Sequence, residues 1–146
     1  MSDRLRDARV LVVSHDPAMR SSISDMLEGS NYKLTFAENG REALGMLRDS
    51  TPGAIVLDYT TPLEGKGSAR AEAESLEKIT DEFPLIPLVL LCMPSVNLSR
   101  SRFLMADMVL RLPVVAPELN RALETVLTET VVDRAFRKAA DVAALK

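Results

Sequence analysis

Gly53-Ala-Ile-Val-Leu-Asp-Tyr-Thr-Thr-Pro62 is the stretch on which the fold turns. Aliphatic residues run from Ala54 to Leu57 and end abruptly in a carboxylate, a polar loop and a proline, which reads as a buried parallel strand. Asp58 then stands at the C-terminal edge of that strand, where open α/β sheets gather their ligands and reactive groups. The competing reading makes Asp58 a cap for the following turn or helix.

Working outward, Arg9-Val-Leu-Val-Val13 is a second continuous apolar run, closed by Ser14-His15-Asp16-Pro17. That order spells a buried strand, a polar turn and a helix start, with Asp16 as N-cap and Pro17 at the first helical position. Met19, Ile23, Met26 and Leu27 follow helical spacing until Gly29 stops them. Tyr32-Lys-Leu-Thr-Phe-Ala37 alternates as a half-buried strand, and Asn39-Gly40 turns into a second amphipathic helix with Ala43, Leu44 and Leu47 on one side. Pro52-Gly53 leads into the strand before Asp58.

Beyond Pro62, Glu64-Gly-Lys-Gly-Ser68 reads as a flexible loop. A helix then runs to about Glu82, with Leu76 and Ile79 inward and Pro84 as its stop. Pro87-Leu-Val-Leu-Leu-Cys92 is a fourth buried strand, followed by a short helix from Ser95 through Met105, and Met108-Val-Leu-Arg-Leu112 is a weaker fifth strand ended by Pro113. Pro117 opens a last domain helix with Leu119, Leu123, Val126 and Leu127 inward. Five alternations of strand and helix favour an α/β fold, doubly wound, with one parallel sheet and helices on both faces. Right-handed crossovers would bring Ser14, His15, Asp58, Cys92 and Leu112 to one crevice.

Residues 128–146 are an extension. Val132, Phe136, Ala139 and Ala143 recur at helical spacing among Asp133, Arg134, Arg137 and Lys138, without an intervening glycine or proline. One long helix or two abutting ones fit, and the apolar stripe has three open fates: folding back on the domain, pairing with another copy, or fraying. The division is therefore residues 1–8 as a tail, 9–127 as the domain and 128–146 as a helical extension.

Composition narrows the function classes. A chain of 146 residues with 47% hydrophobic residues can close one core. A formal charge of -3 argues against a general nucleic-acid surface. Cys92 is the single cysteine, so no internal disulfide forms, and a reducing cytoplasm is the expected location. The N-terminus is charged and lacks a signal-peptide core, and no apolar run is long enough to span a bilayer, so no membrane association is expected.

In order and spacing, these pieces resemble the receiver domain of bacterial response regulators, the CheY-like family of two-component systems, over residues 9–127. The matching pieces are Val10-Leu-Val-Val13 before a polar turn, Arg20 in the first helix, Asn39-Gly-Arg-Glu-Ala-Leu44, Val56-Leu-Asp-Tyr-Thr-Thr-Pro62, Pro87-Leu-Val-Leu-Leu91, and Pro113 after the fifth strand. The resemblance implies a five-stranded flavodoxin-like sheet in the order 2-1-3-4-5 and a cis bond between Leu112 and Pro113. It makes Asp58 the phosphoacceptor for a histidine kinase, and Ser14, His15, Asp16, Thr60, Cys92 and Leu112 the lining of its pocket.

Several of these positions depart from the family pattern. Where the family places a cation-binding acidic pair stand Ser14 and His15; Asp16 comes one residue late and suits a helix cap. Where it places a lysine stands Leu112, and strand alternation turns the neighbouring Arg111 to the other face. Cys92 replaces a hydroxyl and reads as a small buried hydrophobe, while Val109 replaces an aromatic switch. His15, if protonated near Asp58, would return part of the lost charge, and the alternative is a neutral side chain hydrogen-bonded in the turn. No cofactor and no resident metal are expected, with weak Mg²⁺ binding disfavoured.

The expected function is thus a non-enzymatic receiver in phosphorelay signal transduction, with Asp58 modified. The alternative is a phosphorylation-independent pseudo-receiver that serves as a protein interaction module. Expected partners are a histidine kinase or other signalling protein, and a homodimer through the last helices is left open. A flavin carrier or enzyme on the same architecture would need a glycine-rich phosphate loop, which Ser14-His-Asp-Pro17 does not offer.

Overall fold

The computed structural model describes residues 8–59, 68–93 and 105–144. The readings made for the N-terminal tail, the Thr60 to Pro62 turn, the 64–67 loop and the short helix after Ser95 lie outside those residues, apart from Met105. Five strands form one parallel sheet: β1 (Arg9–Val13), β2 (Lys33–Ala37), β3 (Ala54–Tyr59), β4 (Leu88–Cys92) and β5 (Met108–Arg111). Their spatial order is β2-β1-β3-β4-β5, as the resemblance implies. Asp58 therefore rides on the central strand, and register sets Leu57 beside Val13 on one side and Asp58 beside Leu91 on the other.

Alternation along these strands divides the core in two. Leu11, Val13, Ile55, Leu57, Leu88 and Leu90 pack on one face of the sheet, while Val10, Val12, Ala54, Val56, Val89 and Leu91 pack on the other. Helices cover both faces. Helix α2 (Gly40–Asp49) places Ala43, Leu44 and Leu47 against the first, as α3 (Ser68–Glu82) does with Leu76 and Ile79. Helix α1 (Pro17–Met26) and helix α4 (Ala116–Thr128) close the second with Ile23, Leu119, Ala122, Leu123 and Val126. Asn120 Nδ2 ties the two together by donating to the Met26 carbonyl at 2.9 Å.

Helix starts follow the local chemistry. The Asp16 side chain accepts from the Ala18 amide at 3.0 Å with Pro17 opening α1, so Asp16 is an N-cap, as its position suggested. Asn39 caps α2 by accepting from the Glu42 amide at 2.9 Å, and the Glu42 carboxylate accepts from the Glu38 amide at 3.1 Å, one residue before the amide a capping box would use. The end of α1 differs from the sequence reading. A short 3-10 turn (Glu28–Ser30) follows it, and Asn31, not Gly29, takes the left-handed conformation at φ 65°. At Gly53 the backbone runs close under α4: an added Cβ would meet Leu127 Cδ2 at 2.9 Å and the Arg9 carbonyl oxygen at 3.4 Å.

The extension forms a separate helix, α5 (Val131–Ala144). Glu129 adopts an extended backbone that ends α4, and Thr130 Oγ1 accepts from the Asp133 amide to start α5, so the break comes from a capping threonine, without glycine or proline. The helix docks with its basic side. Arg134 and Arg137 are half-buried against the domain while Val132, Phe136, Ala139 and Ala143 are exposed, the reverse of an apolar stripe folded back on the core.

Candidate functional site

The candidate site stands at the C-terminal ends of β1 and β3. Asp58 and Ser14 are both buried, and the Ser14 hydroxyl donates to Asp58 Oδ2 at 2.7 Å. Ser14 is itself fixed from three sides: its amide donates to the Ala37 carbonyl at 2.9 Å, its hydroxyl accepts from the Asp16 amide at 3.2 Å, and its carbonyl accepts from Arg20 Nη1 at 2.6 Å. The first turn of α1 thus brings a guanidinium to the rim of the pocket, a role the sequence reading did not give Arg20.

His15 is half-buried on the same turn, and its Nε2 is buried with no hydrogen-bond partner among the described residues. A polar atom left this way is an unmet donor or acceptor beside the pocket. Asp16 commits one carboxylate oxygen to the helix cap. Of the side chains beside Asp58, Ser14 presents a neutral hydroxyl and His15 a nitrogen rather than a carboxylate, and among the described residues no cluster of three or more histidine, cysteine or acidic side chains is gathered.

Cys92 lies at the end of β4, opposite Tyr59 and Arg111, and alternation turns it toward the side of Leu88 and Leu90. Burial pushes its thiol pKa up, against a smaller lowering by the Arg111 charge. Arg111 is exposed, and its Nη1 donates to the Met93 carbonyl at 3.2 Å. Leu112, half-buried, donates its amide to the Cys92 carbonyl at 2.9 Å, and the bond to Pro113 is cis. Val109 packs half-buried against the Leu57 and Leu90 core. Thr60 falls outside the described residues.

A second polar centre, at the opposite edge of the sheet, was missed by the sequence reading. Asp107 is buried just before β5; its amide donates to the Leu88 carbonyl and its Oδ2 accepts from the Leu88 amide, both at 2.8 Å. Arg134 bonds both its oxygens, with Nη2 to Oδ2 at 2.9 Å, and places Nη1 on the Pro84 carbonyl at 2.8 Å. Arg137 Nη2 reaches Oδ1 at 3.0 Å while its Nε bonds Glu129 Oε2 at 2.6 Å, and Lys138 Nζ stands 3.9 Å from Oδ1. Burial alone would raise the Asp107 pKa. The hydrogen bonds from Arg134 and the Leu88 amide, with the charges of Lys138 and Arg134, outweigh it and hold the carboxyl below its usual range.

No family model matches the chain. Over 81 residues it is 36% identical to the response regulator MprA of Mycolicibacterium vanbaalenii, a match covering 55% of this chain and 33% of that protein. The same named protein from Mycobacterium avium is also 36% identical over 81 residues, with 34% of it covered. The matched segment is about a third of the length of these curated relatives. Among solved structures, the receiver domain of NtrX from Brucella abortus superposes with a TM-score of 0.69 at 21% identity, covering 83% of this chain and 99% of that one. Chemotaxis response regulator CheY4 of Vibrio cholerae gives 0.66 at 21%, covering 82% and 98%. The response regulator TrrA of Thermotoga maritima, solved with Mg²⁺ and BeF, gives 0.68 at 23%, covering 82% and 98%.

Proposed function

We propose, from the premise that the chain carries a CheY-like receiver domain of the response-regulator family, that it serves as the receiving module of a phosphorelay with Asp58 as its phosphoacceptor. The single observation behind this is a buried carboxylate on the central strand, at the edge where such sheets present reactive groups. In the proposed reaction a carboxylate oxygen of Asp58 attacks the phosphorus of a phosphohistidine. The P–N bond breaks, the imidazole leaves with the electron pair, and an acyl phosphate forms.

The transferred group brings about two negative charges into a partly enclosed site. Here the Ser14 hydroxyl can turn from the carboxylate to a phosphoryl oxygen, and Arg20 supplies positive charge one backbone group away. No magnesium step is assigned, because the donor set does not suit the ion. The transfer is accordingly slow compared with a receiver holding a full set of charges. The proposed partner is a histidine kinase or another signalling protein, the setting is the cytoplasm, and the module itself catalyses no metabolic reaction. Among the described residues no helix is long and apolar enough to cross a membrane.

The Ser14 to Asp58 hydrogen bond also favours a second reading, a pseudo-receiver that binds partners through its fold alone. That bond stabilises the unmodified carboxylate and opposes its use as a nucleophile. Incubation with acetyl phosphate or a phosphorylated kinase, followed by intact-mass measurement, separates the two. One phosphoryl adduct that disappears in Asp58→Asn supports the phosphoacceptor, and an unmodified chain leaves the pseudo-receiver.

A further inference from the structure

We propose that α5 is the surface through which two copies of this chain associate, as an antiparallel pair related by a two-fold axis. The helix is amphipathic in the reverse sense to one that packs on its own core. Its cations Arg134, Arg137 and Lys138 face the domain, held by Asp107 and Glu129, whereas Val132 is 63% exposed and Phe136 is 73% exposed, with Ala139 and Ala143 open beside them. Val131, 68% exposed, lines with Leu85 a shallow groove beside the start of the helix. Large apolar side chains exposed along one face of a helix mark a candidate interaction site.

Size and charge select the occupant. The spacing of Val132, Phe136, Ala139 and Ala143 is that of a two-heptad seam. Its bulky side chains lie in the first half and its small ones in the second. A two-fold axis midway between Phe136 and Ala139 sets Phe136 of one copy against Ala139 of the other, and Val132 against Ala143, so large meets small along the whole seam. Parallel pairing would oppose Phe136 to Phe136 and leave Ala139 facing Ala139. Because Asp107 and Glu129 engage the cations of α5, the outward face lacks the positive charge that an anionic membrane or a nucleic acid would need.

The area sets the strength. A seam of this length covers on the order of 500 Å² per copy, short of about 800 Å² per partner in a standard stable interface. The pair is therefore weak and concentration-dependent, formed at high micromolar protein or when a tethered domain raises the effective concentration.

Sedimentation velocity on the full chain from about 10 μM to about 1 mM tests this. The expected result is a reversible monomer-to-dimer shift that Phe136→Glu abolishes while the circular dichroism of the fold is retained, since Phe136 is exposed. Orientation is read from disulfide formation in a mixture of Val132→Cys and Ala143→Cys chains, which should cross-link to each other. A chain that stays monomeric throughout, a dimer indifferent to Phe136→Glu, or Val132→Cys cross-linking chiefly to itself would each overturn the proposal.

Discussion

Ser14 and Asp58 meet across two adjacent parallel strands, the buried hydroxyl donating to the buried carboxylate at 2.7 Å. The same hydroxyl accepts from the Asp16 amide, so one small side chain joins the end of β1, the end of β3 and the cap of α1. Ser14→Ala removes both bonds within a buried polar cluster, at a cost of about 1–3 kcal/mol. Urea unfolding of the two proteins should show that loss as a lower midpoint with an unchanged slope. An unaltered midpoint would mean that the contact does not hold the site.

Restoring carboxylates at the two positions tests the donor argument directly. In Ser14→Asp/His15→Asp two oxygen ligands stand beside Asp58, and like-charge repulsion among three carboxylates destabilises the ion-free fold. Millimolar magnesium should raise the melting temperature of that variant and leave the parent chain unmoved. A comparable magnesium response in the parent chain would contradict the account of its donors.

The Asp107 clasp makes a pH prediction with a definite sign. Because the native carboxyl titrates below its ordinary value, the charged form is favoured by folding. Its stabilisation is complete above the unfolded value of about 3.9 and drains away as pH falls through the lower native value. Protection of the α5 amides, with exchange rates corrected for their intrinsic pH dependence, should therefore hold at pH 5 and fall progressively below about pH 4. Asp107→Ala leaves Arg134 without its buried partner and should cost about 3 kcal/mol, since breaking a buried pair strands the remaining charge. Exchange of α5 in this variant should be fast at every pH.

Cys92 is fully buried and its thiol pKa is raised by that burial. A disulfide reagent at neutral pH should modify it only through unfolding, so the labelling rate follows denaturant concentration. Rapid stoichiometric labelling of the native chain would show that the end of β4 opens to solvent.

How far the sequence reveals this molecule follows from the range of each interaction. The five strands, the Asp16 cap and the inward faces of α2 and α4 were legible, because apolar periodicity and capping are local patterns that packing then reinforces, whereas the order of the strands across the sheet came from the family resemblance. The Ser14 to Asp58 contact was legible only as a shared crevice, since a hydroxyl direction depends on the turn that carries it. Asp107 was not legible. A lone aspartate between Ala106 and Met108 looks like an ordinary strand entry, and its charged partners come from α5, up to 31 residues further on. Its burial reverses the orientation of that helix: a desolvated carboxylate attracts the basic side strongly enough to leave the apolar side in water.

The central claim is that Asp58 receives a phosphoryl group in a pocket furnished with a hydroxyl in place of an acidic pair. Intact mass spectrometry after incubation with acetyl phosphate or a phosphorylated histidine kinase, without added magnesium, addresses it most directly. The account predicts a single, slowly accumulating phosphoryl adduct in the parent chain and none in Asp58→Asn. Modification that persists in Asp58→Asn, or a parent chain that stays unmodified with every donor, would contradict it.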